Sequence, residues 1–271
     1  MADTFNTFDG GIGKDTLLGT TNADVMHGIA GADTLIGNGG DDQLWSGSAT
    51  DPEGKNDRDG DLLDGGTGND TINGGSGNDM LIGGAGTNTL NGNAGLDTAL
   101  YNLARGDYTI AQKNGTIGIT SSTGGIDTLT SVERLHFTDV DVAYDIAGTA
   151  GQVFRIYQAA LNRAPDKGGL GFWINAADHG ASMETVAAGF THSAEWNSLY
   201  GANSSTETFL TALYRNALHR EPDPTGMQFW TNELQHGSSR EYLLVRFAES
   251  AENQAQVIGS IQNGIEYTPY A

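Results

Sequence analysis

Residues 65–91 read GGTGNDTIN, GGSGNDMLI, GGAGTNTLN: three nine-residue units in succession without a gap. Each places glycine at positions one, two and four, a carboxylate or amide at six and an apolar residue at eight. Glycine is required where a backbone takes positive φ or approaches a neighbour closely, so the first six residues read as a turn. The last three read as a short strand, in which alternation points one side chain inward. That inward place holds Ile72, Leu81 and Leu90. Two units make one coil, so turns eighteen residues apart stack on the same edge.

The period extends in both directions. Upstream lie GGIGKDTLL (10–18), GTTNADVMH (19–27), GIAGADTLI (28–36) and GNGGDDQLW (37–45), and downstream GNAGLDTAL (92–100). The unit at 19–27 has lost several glycines and is the weakest match. SGSATDPEGK (46–55) breaks the period and reads as an extruded loop, after which NDRDGDLLD (56–64) resumes it. The inward column is completed by Leu17, Met26, Leu35, Leu44, Leu63 and Ala99. Stacking predicts Asp15, Asp33, Asp61, Asp79 and Asp97 on one edge and Asp24, Asp42, Asp70 and Asn88 on the other. Carboxylates from two stacked turns, with carbonyls of the glycine region, make an all-oxygen cage that suits Ca²⁺ better than Mg²⁺. The expected ligand region includes Gly11, Gly13, Gly31, Gly40, Asp59, Gly66, Gly68, Gly75, Gly77, Gly84 and Gly86. Asn88 carries no charge, so the last interval on its edge is expected to be weak or empty. The loop acids Asp51, Glu53, Asp57 and Asp59 read first as solvated and second as an extra ion site.

This pattern resembles the RTX calcium-binding nonapeptide repeat, which implies a calcium-bound parallel β-roll over residues 1–100. Residues 101–147 change character. YTIAQK and TIGIT flank Asn114-Gly115, a hairpin signal, and GGIDTLTSVERLHFTDVDVAYD (124–145) adds a partial repeat turn at Asp127. The row GxDTxxxVExLxFxD resembles the β cap that follows RTX blocks in secreted bacterial proteins. At the other end, Phe5 and Phe8 are expected to cover the open first coil.

From residue 148 onward helical periodicity replaces glycine, and a second repeat appears. Residues 155–182 align with 212–239 at a constant offset of 57, pairing Tyr157/Tyr214, Arg163/Arg220, Asp166/Asp223, Phe172/Phe229, Trp173/Trp230 and His179/His236. The match continues through Phe190/Phe247, Ser193/Ser250 and Glu195/Glu252. Copies at about 151–200 and 206–258 each read as three helices. Asp166, Asp223, Ser182 and Ser239 are the expected N-caps, and Gly180 and Gly237 the glycines that end the second helix. Tyr157, Leu161, Phe172, Phe190 and their partners are expected in the core. The block at 148–271 resembles an uncharacterised helical domain found beside RTX repeats and, more distantly, phycobilisome linker domains. The fold class is therefore multidomain β + α: a roll with its cap, then an all-α domain of two three-helix repeats.

Net charge is −21, of which residues 1–150 hold −16 from 22 acidic and 6 basic residues. Up to about seven bound Ca²⁺ ions would offset that excess; without metal, so acidic and glycine-rich a segment matches the profile of a disordered chain. The same charge makes nucleic acid an unsuitable partner. No cysteine is present, which excludes disulfides and thiolate metal sites. The N-terminal residues show no signal-peptide pattern, and no apolar run reaches the ~18 residues that span a bilayer.

There is no HExxH zinc helix and no GxSxG nucleophile elbow, motifs that carry the chemistry of RTX proteases and lipases. The function expected is a secreted, non-enzymatic structural protein of the bacterial surface or matrix (surface layer, biofilm or adhesive) that folds and assembles with calcium. Its partners would be calcium, further copies of itself, or surface polysaccharide; Trp173 and Trp230 would stack on sugar rings if they face outward, the alternative being packing in the core or between the copies. The non-catalytic part of an RTX enzyme or toxin is a further alternative. The RTX resemblance implies type I secretion, with an uncleaved export signal in the tail around Ile258–Ala271; otherwise that tail packs on the last helix.

Overall fold

The computed structural model describes residues 5–52, 54–55, 58–202 and 204–270. Contacts divide the chain into two compact units, Met1–Val142 and Ala143–Ala271.

The first unit winds as the period requires. Its strands are β1 (Asn6–Asp9), β2 (Thr16–Leu18), β3 (Asp24–His27), β4 (Thr34–Ile36), β5 (Gln43–Trp45), β6 (Leu62–Asp64), β7 (Thr71–Asn73), β8 (Met80–Ile82), β9 (Thr87–Asn91) and β10 (Thr98–Leu100). After them come β11 (Tyr108–Lys113), β12 (Thr116–Ser121), β13 (Ile126–Thr130), β14 (Arg134–His136) and β15 (Asp141–Ala143). Odd strands build one parallel sheet, β1-β3-β5-β7-β9, and even strands the other, β2-β4-β6-β8-β10. The register matches Leu17 with Leu35 and Met26 with Leu44. It holds across the 46–55 loop, where Leu35 faces Leu63 and Leu44 faces Ile72. The inward side chains from Met26 to Ala99 are fully buried, in two ladders. Each buried Leu or Ile contributes on the order of 1.5–3 kcal/mol of transfer free energy.

The cap extends both sheets. β11 and β12 form the expected hairpin around Asn114-Gly115. β13 pairs in parallel with β9, Leu129 on Leu90, and β14 with β10, Leu135 on Ala99. At the other end Phe8 extends the ladder against Met26. Phe5, however, is 45% exposed and lies just before β1, outside the ladder.

The second unit contains α1 (Thr149–Leu161), α2 (Lys167–Asp178), α3 (Met183–Thr191), α4 (Ala194–Tyr200), α5 (Thr206–Ala217), α6 (Pro224–Gln235), α7 (Arg240–Ala248) and α8 (Ala251–Ile261), followed by the short strand β16 (Ile265–Tyr267). The expected three helices per copy are four. Ser193 and Ser250, matched across the repeat, each accept a backbone N–H and so start α4 and α8. Asp166, Ser182, Asp223 and Ser239 cap as expected, and Gly180 and Gly237 take positive φ just past α2 and α6. The tail packs on α2, where the expectation was the last helix: Thr268 N–H reaches Lys167 O at 3.0 Å, Lys167 pairs with Glu266 at 2.7 Å, and Tyr270 sits edge-on to Phe172.

Candidate metal centre

Most turns begin on a glycine because the side chain of position six folds back over it. A methyl group built on Gly65 or Gly74 would meet Oδ2 of Asp70 or Asp79 at 2.5 Å. In the units that start at residues 28, 37, 65, 74, 83 and 92, positions two and four take the left-handed region, as in Gly84 at φ +81° and Gly86 at φ +134°. A methyl there would run into the carbonyls of Gly66 and Gly68 one coil below. The same relation joins Gly40 to Gly68, Gly77 to Gly95, and the Asp59 carbonyl to Gly77. The second-position carbonyls of Gly11, Gly66 and Gly75 each accept an N–H from the following coil. Gly13 and Gly31 stack in the first coils, where a methyl on Gly31 would press on Gly13.

The carboxylates form two columns. On one edge the backbone N–H of Asp15, Asp33, Asp61 and Asp79 donates to Oδ1 of Asp33, Asp61, Asp79 and Asp97 respectively, at 2.7–2.9 Å. On the other, Asp24, Asp42 and Asp70 donate to Oδ1 of Asp42, Asp70 and Asn88 at 2.8–2.9 Å. Only one oxygen of each acid is consumed this way. The second differs along the stack. In the first coil it is satisfied by the turn itself, Gly11 N–H to Asp15 Oδ2 at 2.6 Å and Thr20 N–H to Asp24 Oδ2 at 2.5 Å. Deeper in, Oδ2 of Asp42, Asp70 and Asp97 is buried without a hydrogen-bond partner.

Burial of these groups has an electrostatic consequence. Desolvation pushes Asp42 and Asp97 up to about 7 and Asp70 to about 6, reinforced by neighbouring carboxylates and opposed by the backbone N–H each accepts. An anion held in such a place is unfavourable without a counter-charge. A hard divalent cation removes that penalty, and the donors present are those it prefers: carboxylate and carbonyl oxygens. The residues fit calcium. Among the described residues no group of three or more His, Asp or Glu side chains converges on one point, so backbone carbonyls must supply much of each shell.

Two acids continue the columns beyond the repeats. Asp97 N–H donates to Glu133 Oε2 at 2.9 Å, and Asn88 Nδ2 to Asp127 Oδ1 at 2.9 Å. The partial turn at Asp127 was legible in the sequence; Glu133 was legible only as part of the cap pattern. In the 46–55 loop Asp51 binds the Lys55 N–H, and the side chain of Asp59 is exposed. Glu53 and Asp57 lie outside the described residues.

The profile of the family described as the RTX calcium-binding nonapeptide repeat (four copies) matches residues 4–26, 9–44, 18–51 and 58–99. The N-terminal region is an RTX repeat block. Such nonapeptides bind calcium and are typical of secreted proteins. Residues 150–199 and 187–257 match a domain of unknown function, DUF4214. Among curated proteins none matches the chain. No described helix is long and apolar enough to cross a membrane.

The helical repeat resolves the remaining candidates. Trp173 and Trp230 turn inward, packing on Phe190 and Phe247 at 5.5 and 5.2 Å. The outward members are Phe172 and Phe229, 40% and 54% exposed, so the tryptophans take the packing alternative and the expected core phenylalanines do not. His179 and His236 use Nδ1 on the carbonyls of Asn175 and Asn232, at 2.8 and 2.7 Å. Arg163 and Arg220 lie over the rings of Tyr157 and Tyr214 and pair with Glu195 and Glu252. They also reach Asp166 and Asp223 across the helix turn, at 3.6 and 3.4 Å. The duplicated residues are thus a structural latch.

Proposed function

We propose that the protein is a calcium-folded structural component of the bacterial surface or extracellular matrix, in a surface-layer, biofilm or adhesive role, without catalytic activity. The roll, over residues 1–100 with its cap at 101–147, takes up to about seven Ca²⁺ between stacked turns, and the helical domain at 148–271 supplies the assembly contacts. The observation that carries this reading is the set of buried, unpartnered carboxylate oxygens on Asp42, Asp70 and Asp97, which make folding of the roll conditional on a cation. A chain of this kind remains unfolded where calcium is scarce and folds where it is plentiful. That suits export through a type I route without a cleaved N-terminal signal, the tail around Ile258–Ala271 carrying the address. Self-association is the preferred partner reading, supported by the packing of Trp173 and Trp230 on Phe190 and Phe247.

Electron microscopy and light scattering of the full chain, in ~1 mM Ca²⁺, a level typical of extracellular sites, and in chelator, test assembly. Ordered multimers with calcium and monomers without it are expected. Monomers in both conditions would overturn the assembly role.

A further inference from the structure

One column of turn side chains has amides near both ends. In order it reads Asn6, Asp24, Asp42, Asp70, Asn88 and Asp127, whereas the other reads Asp15, Asp33, Asp61, Asp79, Asp97 and Glu133. At Asn88 the amide is held from both sides. Its Oδ1 accepts the Asp70 N–H at 2.9 Å, and its Nδ2 donates to Asp127 Oδ1 at 2.9 Å. These two bonds fix which way the amide points. A methyl on Gly83 would meet Asn88 Nδ2 at 2.8 Å, the place where the turns at Gly65 and Gly74 present a carboxylate oxygen. An N–H donor therefore stands where its neighbours offer an acceptor to a cation. Asn88 is 1% and Asp127 6% exposed, so the pair is a buried contact. The same closure recurs at the first interval of this column, where Asn6 Nδ2 donates to Asp24 Oδ1 at 2.7 Å.

We infer that the interval between the turns of Asn88 and Asp127 is closed by the asparagine amide and takes no calcium, so that this edge of the roll terminates in a hydrogen-bonded pair while the other edge stays acidic to its end. The amide supplies, without an ion, the positive partner that Asp127 needs against burial. The phenol of Tyr101 adds a second hydrogen bond to the same carboxylate. A cleft of about 560 Å³, walled by Gly84, Gly86, Tyr101, Gly125 and Asp127, opens beside the pair. Access therefore does not keep calcium out; the donor does. This inference rests on the calcium reading of the repeats, but its test compares variants with one another and so fails separately.

The test is calcium stoichiometry of the full chain, by equilibrium dialysis with metal analysis, for wild type, Asn88→Asp and Asp127→Asn. Asn88→Asp should bind at least one more ion than wild type, because two carboxylates would then face each other where the amide now donates. Asp127→Asn should leave the wild-type count unchanged. Should Asn88→Asp fail to fold in calcium, the Asp127→Asn count decides alone. An Asn88→Asp count equal to wild type, or an Asp127→Asn count lower by one, would show that the interval already holds an ion and overturn the inference. Absence of calcium from the wild type would instead sink the calcium reading itself.

Discussion

The two units of this chain are both built from repeats, yet they satisfy their polar groups in opposite ways. In the helical unit the partners lie within the chain. Seven helices begin on a Ser or Asp that accepts a backbone N–H. The nearly buried Arg155 meets Glu249 with two bonds of 2.7 Å, and Arg163 and Arg220 find Glu195 and Glu252. In the roll, like charges are stacked at eighteen-residue intervals and part of their bonding capacity is left over. The apolar ladders are complete, but the electrostatics are not. The difference teaches that a repeat can specify a fold while leaving its stability conditional on an ion.

The largest effect separating the units should come from the acid columns. Because Glu133 continues the Asp97 edge, Asp97 is an interior member, and the exposed end of that column is Asp15. Asp61→Ala, Asp79→Ala and Asp97→Ala should therefore each lose more bound calcium than Asp15→Ala. Asp61→Ala also strands the Asp33 N–H, an unsatisfied buried donor that costs about 1–3 kcal/mol. Calorimetry with calcium titration checks this; equal losses in all four variants would break the register. The helical transition should not move in any of them.

A purely apolar probe comes next. Ile72→Ala empties a fully buried ladder position and should destabilise the calcium-bound roll by about 2–5 kcal/mol, again leaving the helices alone. A chemical-denaturation curve in calcium with two resolved transitions would show which one shifts. A shift in both would mean that the units do not unfold independently.

How much of this was legible follows from the physics of each signal. The ladders and both columns could be read from Leu17 to Ala99 because turn, strand and coil all share one period. Glu133 escaped because the hairpin at 108–121 replaces the 18-residue spacing by 36. The helices α4 and α8 escaped because seven and eleven residues in a polar setting show little periodicity, although Ser193 and Glu195 were visible as matched positions. The inversion of Phe172 and Trp173 had no sequence signal. Adjacent aromatics lie about 100° apart on a helix, and either could have faced the core.

Proton linkage sharpens the contrast. Folded-state values of about 7, 6 and 7 for Asp42, Asp70 and Asp97 lie above the ordinary 3.8. Without calcium the folded roll binds more protons than the unfolded chain between those limits, so its stability falls as pH rises from about 4 to about 7. With calcium the trend reverses, because ligation needs ionised carboxylates. In the helical unit Asp166, Asp223 and Glu195 are lowered, the first by the Tyr157 hydroxyl, the second by the Gly226 N–H and the third by Arg163. Their contribution is complete above the ordinary carboxylate range and is lost only as pH drops below it. In chelator the strand circular dichroism of the roll should increase as pH falls from about 7 to about 4, and in calcium it should decrease over the same range; the same trend in both would contradict the electrostatic account.

The smallest effect concerns backbone strain. Ile29 occupies position two of its turn at φ +89°, a region that β-branched residues rarely enter. Ile29→Gly should relieve about 1 kcal/mol and raise the calcium-bound melting temperature of the roll. An unchanged or lower value would show that the side chain contributes more than its conformation costs.

Hydrogen exchange of the intact chain, followed by mass spectrometry in ~1 mM Ca²⁺, as found at extracellular sites, and in chelator, tests the central claim most directly. Both halves are then read in one sample. Chelation should abolish protection of the strands between Thr16 and Leu100 while α1 to α8 exchange as before. Equal protection of those strands in chelator and in calcium would contradict a roll whose folding depends on the ion.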